Sequence, residues 1–309
     1  MFHTHVGLAL VVRFCREPAP SLAASAVPLG EAFITKARPS VPVSRRQPFL
    51  AKVPEVTAIF WLIKVLTTGM GEAASDDLAK RNLVLAAGVG LVGFLVSLWL
   101  QFRTDRYVAP VYWFAVSMVA VFGTMAADGV HKALGVPYVA TTIFYAAAVA
   151  AVFVLWDRRE HTLSIHSIVT RRREIFYWST VLATFALGTA AGDLTAFTLH
   201  LGYRTSVLVF AAAMLVPLIG WRAGWFSSVT AFWFAYVLTR PLGASVADWL
   251  GKPRSLSGLG YGDGPVTVVA TILIAGLVAY AHSTGRDVQP ESVNASPPDE
   301  ERVVTPHAR

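Results

Sequence analysis

Four carboxylates recur in this chain at a fixed distance from a tryptophan and a glycine, in stretches otherwise apolar enough to lie in a membrane. Trp61, Gly71 and Asp76 are followed by Trp113, Gly123 and Asp128, then Trp178, Gly188 and Asp193, then Trp233, Gly243 and Asp248, each copy reading W-x9-G-x4-D. The first copy adds a second acid, Glu72, where the second and third have Thr124 and Thr189. Two cations share these segments: Lys64, three residues after Trp61, and Arg240, seven after Trp233. Acids at the centre of a membrane helix are unfavourable by roughly 2.5–3.5 kcal/mol each, so the four aspartates are expected to face inward. Carboxylates gathered around a cavity suit protons or hard cations, and with imidazole nearby they suit transition metals.

The elements that must position these groups are helices. Of the 309 residues, 55% are hydrophobic and only 15% charged, and mean hydropathy is +0.54. A bilayer core needs about 20 consecutive, mostly apolar residues as helix. Eight such blocks occur, near 56–78, 82–103, 109–130, 138–156, 175–199, 204–221, 226–250 and 265–283. The expected fold is an all-α polytopic membrane bundle of eight transmembrane helices, built as four parallel two-helix repeats at about 52–106, 107–159, 171–222 and 223–285. Residues 1–51 are expected to be a disordered or mis-called N-terminal extension. The polar, proline-containing segment 286–309 is expected to be a disordered tail.

On an ideal helix glycine falls about 80° to one side of tryptophan and aspartate about 60° to the other, so the three share a broad face spanning about 22 Å. Trp61, Trp113, Trp178 and Trp233 are expected as interface aromatics, and Gly71, Gly123, Gly188 and Gly243 as close-packing positions. Pro241 beside Arg240 marks the fourth signature helix as the one to bend or break. Lys64 and Arg240 lie too far along their own helices to reach Asp76 and Asp248, so their charge partners must come from other helices. His131 and His200 follow two of the aspartates and are weak metal-ligand candidates.

A net charge of +7 is dispersed between the apolar blocks, as in membrane anchoring, and points away from nucleic acid. Its bias, with Arg45, Arg46, Arg103, Arg106 and Arg171 to Arg173 on one set of connections, is expected to place both termini in the cytoplasm. A single cysteine, Cys15, excludes an internal disulfide and a cysteine metal cluster. "GLGYGDG" at 258–264 matches fragments of aspartyl-protease and potassium-filter motifs, but it is single and reads as a glycine-rich loop. No catalytic constellation or ATP-binding motif is present, so the chain is expected to be neither an enzyme nor a holder of an organic cofactor.

"KVPEVTAIFWLIKVLTTGMGEAASDDL" at 52–78 and the three later copies of the pattern resemble a bacterial family of multi-spanning, membrane-anchored proteins of uncharacterised role, built from four copies of a repeat. The resemblance implies a multi-spanning inner-membrane protein and no particular substrate. The residues themselves favour a secondary transporter or permeation protein for a small cation, proton or divalent metal, in contact with the lipid bilayer. The alternative is a non-transporting scaffold or assembly protein in which the repeated aspartates are structural.

Overall fold

A computed structural model describes residues 51–289; the expectations for the N-terminal extension and most of the C-terminal tail lie outside the described residues. Within them the chain folds into helices α1 (Ala58–Arg81), α2 (Leu83–Arg103), α3 (Ala109–Asp128), α4 (Tyr138–Glu160) and α5 (Arg171–Asp193), then α6 (Gly202–Ala213), α7 (Leu215–Arg222), α8 (Ser228–Gly251) and α9 (Asp263–Thr284). Thr57, Thr170 and Ser227 start α1, α5 and α8 by accepting a hydrogen bond from a first-turn backbone N–H, and Pro110 sits in the first turn of α3. The sixth apolar block, read as one span, divides at Met214, three residues before Pro217, whose missing N–H weakens the ladder there. Pro241 does not break α8, which runs unbroken from Ser228 to Gly251.

Six helical stretches are long and apolar enough to cross a membrane by length and composition: Leu83–Arg103, Ala109–His131, Tyr138–Glu160, Arg171–Thr198, Gly202–Arg222 and Asp263–Thr284. Helices α1 and α8, which carry most of the internal charge, are not among them. The helices after each signature helix, α2, α4, α6 with α7, and α9, turn long rows of Leu, Val and Ile outward, with Val84, Leu85, Ile143, Leu208 and Ile272 all more than half exposed. An exposed apolar area of this extent fits a lipid-facing surface.

The signature helices α1, α3, α5 and α8 form a closed ring in which each packs on the next and the fourth packs on the first. Two cyclic sets of contacts build it. The aromatic before each tryptophan packs against the tryptophan of the following repeat: Phe60 on Trp113 at 5.7 Å, Tyr112 on Trp178 at 5.6 Å, Tyr177 on Trp233 at 6.1 Å and Phe232 on Trp61 at 5.7 Å between centroids. Each glycine receives the residue seven after the next repeat's tryptophan: Gly71 faces Ala120, Gly123 faces Phe185, Gly188 faces Arg240 and Gly243 faces Thr68. A Cβ on Gly243 would meet the Thr68 Cβ at 2.7 Å, and one on Gly123 the Phe185 Cβ at 2.8 Å, so neither position has room for a methyl group. The tryptophans thus serve as packing residues of the ring. Trp113, Trp178 and Trp233 are buried, since their rings are needed to interlock the helices.

The outer helices repeat the cycle, for α2 packs on α3, α4 on α5, α6 on α8 and α9 back on α1. At the tryptophan end the two ends of the described chain meet: Gln289 donates to the carbonyls of Val53 and Pro54, and the Glu55 N–H to that of Asp287. The buried Asp287 accepts from the Tyr107 hydroxyl, so the ordered body extends four residues past the expected boundary at 285.

Ring closure is open to a direct check. An ideal Cβ on Gly69 lies 3.5 Å from that of Ala247, within the disulfide range of about 3.5–4.5 Å. In a Cys15→Ser background, Gly69→Cys/Ala247→Cys is expected to cross-link on mild oxidation. With a protease site inserted between α4 and α5, the two cleaved halves should migrate as one band until reduced. Halves that separate without reductant would contradict closure of the first helix on the fourth.

Candidate functional site

The residues facing the axis of the ring repeat every four positions. An i, i+4 row winds about 40° per step around a helix, so four helices hold it on one axis only by leaning across each other. Counted from tryptophan, position +3 contributes Lys64, Val116, Val181 and Tyr236; position +7, Thr68, Ala120, Phe185 and Arg240; position +11, Glu72, Thr124, Thr189 and Ala244. All twelve are buried. Position +15 contributes the four aspartates, of which Asp76 and Asp248 are buried and Asp128 and Asp193 half-buried.

The aspartates line one cavity of about 360 Å³ with Glu72, Lys80, Lys252, Tyr138, Phe197 and Tyr203. Glu72 lies four residues before Asp76, one helical turn deeper into the ring. Its Oε2 accepts from Arg240 Nη2 at 3.1 Å and from the hydroxyls of Thr124 and Thr189, both at 3.3 Å. Arg240 starts one turn below the +11 layer, and Ala244, the small residue of its own helix there, leaves the space that the guanidinium fills. Its other donors reach the main-chain carbonyls of Thr68 at 2.9 Å and Phe185 at 3.2 Å. Each buried polar atom of this cluster thus has a partner, which a low-dielectric interior demands.

Beneath it Lys64 has a different setting. Its ammonium lies 4.0 Å from the centroid of Phe185 and 4.1 Å from that of Tyr236, and Arg240 lies over Phe185 at 4.8 Å. Among the described residues no carboxylate is within ion-pair distance of Lys64. The two charge partners expected from other helices therefore differ: Arg240 meets Glu72, whereas Lys64 meets aromatic faces.

The upper end holds a second charge network. Lys252, just past α8, bonds the Asp76 carboxylate and lies 3.5 Å from Asp248 and 3.7 Å from Asp263. Asp263, at the start of α9, also bonds Lys80. Burial opposes the charge on Lys252, but Asp248 and Asp76 outweigh it and push its pKa above the usual lysine value. Glu72, Asp76 and Asp248 each offer a carboxylate oxygen within 4.8 Å of the others, a grouping able to hold a metal ion. In this arrangement lysine supplies the positive charge.

Neither histidine joins that group. His131, in a π-helical turn continuing α3 past Gly129, bonds the Val136 carbonyl at 2.6 Å and stacks on Tyr138. His200 is exposed in a loop with φ of 53°. Sequence reasoning missed Lys80, Lys252 and Asp263 as parts of the site. Asp263 is visible in "GYGD", but only its position at the start of α9 brings it to Lys80 and Lys252, which line the cavity.

Lys64 yields the sharpest mutational contrast. An isolated buried ammonium contributes little to stability beyond its ring contacts, and an unbranched apolar side chain fills the same space. Lys64→Met is therefore expected to unfold at the same temperature as the wild type or higher, measured by thermal denaturation in mild detergent. A fall of about 4 °C or more would mean that the ammonium holds the ring together.

The family model described as Repeat of Unknown Function (DUF347) matches four times, at residues 59–107, 111–162, 176–223 and 231–287. No curated protein and no solved structure matches the chain. The four matches cover about two thirds of the sequence, each spanning one signature helix and the outer helix after it. On that coverage the chain belongs to the DUF347 repeat family.

Proposed function

We propose that this protein is an eight-span membrane transporter or permeation protein for a small cation, a proton or a divalent metal, that uses carboxylates on the axis of its helix ring. The single observation that carries the reading is the cavity lined by Asp76, Asp128, Asp193, Asp248 and Glu72, with the Glu72–Arg240 pair sealing its floor. Five acids against Lys80 and Lys252 attract cations to the cavity mouth.

The buried +11 layer floors the cavity and the buried +7 and +3 layers lie beneath it, so the arrangement is closed at the tryptophan end. A cation reaching Glu72 competes with Arg240, and one reaching Asp76 and Asp248 competes with Lys252. Exchange of an internal for an external cation keeps the site near neutrality throughout, which avoids stranding a buried charge. In the proposed orientation both termini are in the cytoplasm of a bacterial inner membrane and the cavity opens outward, as the distribution of Lys and Arg favours.

Reconstitution into liposomes tests this. Wild-type protein should pass protons or divalent cations down an imposed gradient, and Asp76→Asn and Asp248→Asn should lower that flux about tenfold or more while eluting as folded protein in detergent. Absence of flux in the wild type, together with loss of folding in the Asp→Asn series, would assign the aspartates a structural role instead.

A further inference from the structure

Five oxygens converge on the Arg240 guanidinium. Nε donates to the Phe185 carbonyl, Nη1 to the Thr68 carbonyl, and Nη2 to Glu72 Oε2, Thr124 Oγ1 and Thr189 Oγ1. The last three form a triangle: Glu72 is 3.3 Å from each threonine hydroxyl, and the hydroxyls are 3.5 Å apart. Nη2 caps that triangle. They come from three different repeats at the same register, so their convergence follows from the ring rather than from any local loop.

The triangle has a size and a charge. As one face of an octahedron its centre would lie about 2.3–2.5 Å from each oxygen, the edge divided by √2, which suits a calcium-sized ion and is too long for magnesium at about 2.0–2.1 Å. Of the five acceptors only Glu72 is anionic, so one positive charge balances the cluster and a dication would leave an excess charge in a buried setting. Sodium is the common monovalent ion with a radius close to that of calcium.

We infer that the Glu72–Thr124–Thr189 triangle, with the carbonyls of Thr68 and Phe185, is a binding site for a dehydrated sodium-sized monovalent cation, and that Arg240 occupies it as a tethered cation. The ion enters from the cavity, whose wall includes Glu72, as the guanidinium withdraws. The site rests on the cation-transport reading for its use in coupling; binding itself can be measured without flux.

Purified full-length protein in detergent is heated in sodium, potassium or choline chloride at equal ionic strength. Arg240→Ala, which vacates the site, is expected to unfold about 3 °C or more higher in sodium than in choline. Potassium should stabilise less, and non-denaturing guanidinium should substitute for the missing side chain. Arg240→Ala/Glu72→Gln should lose the sodium response. Equal midpoints in all salts would overturn the proposal. If Arg240→Ala does not fold, equilibrium dialysis of radioactive sodium against wild type and Thr124→Val/Thr189→Val decides: saturable binding lost in the double variant supports the site, and absence of saturable binding in both overturns it. Sodium-specific stabilisation in a protein without flux would keep the site and remove the transport reading; flux without that stabilisation would do the reverse.

Discussion

The Glu72–Arg240 pair is the interaction on which this structure turns. Two buried charges from the first and last repeats meet on the axis, and each depends on the other for compensation. Removing either leaves the other a buried charge without its partner. The pair therefore requires α1 and α8 to be neighbours, which closes the ring. It also requires Thr124 and Thr189 to present hydroxyls at the same depth, which fixes the register of α3 and α5. Specific helix association in an apolar medium lacks a hydrophobic drive, so small-residue contact and buried polar matching must supply it.

The fourfold frame and its asymmetry serve different ends. Tryptophan, its aromatic predecessor and glycine recur because each makes the same contact with the next repeat, and a ring of equivalent contacts needs equivalent residues. The axial positions between them differ from copy to copy, although the +7 residues all seat on an equivalent glycine, because their outer ends meet unlike partners. They pack against each other across the axis, where one charge needs one partner. Lys64, Tyr236, Val116 and Val181 share a register but have little chemistry in common, as do Thr68, Ala120, Phe185 and Arg240. Specialisation is concentrated in the first and fourth repeats, where all of the buried axial charge of the +3, +7 and +11 layers resides.

That division explains what could be read from the chain alone. The helical class, the repeat period and the inward placement of Asp76 and Asp248 follow from composition and from W-x9-G-x4-D, since a repeated contact leaves a repeated signature. The need for Arg240 to find its partner on another helix follows from helical rise. Its identity does not, because Glu72 and Arg240 are 168 positions apart and only ring closure brings them together. The i, i+4 axial rows were likewise hidden, for a row of Lys, Val, Val and Tyr has no common residue type to detect. Lys252 lies just past α8 and Asp263 is the first residue of α9, at helix ends whose meeting depends on how the helices lean. The interlocking of each tryptophan with the aromatic of the preceding repeat was hidden as well, because it needs the ring to bring neighbouring repeats together.

The most direct measurement of this account is a double-mutant cycle on the axial pair, with reversible unfolding of wild type, Glu72→Gln, Arg240→Gln and the double variant followed in mild detergent. Each single change should lower stability by about 3–5 kcal/mol, and the double variant should recover at least about 2 kcal/mol of the summed losses. Losses that add to within about 0.5 kcal/mol would show that the two charges do not meet on the axis and would contradict the account.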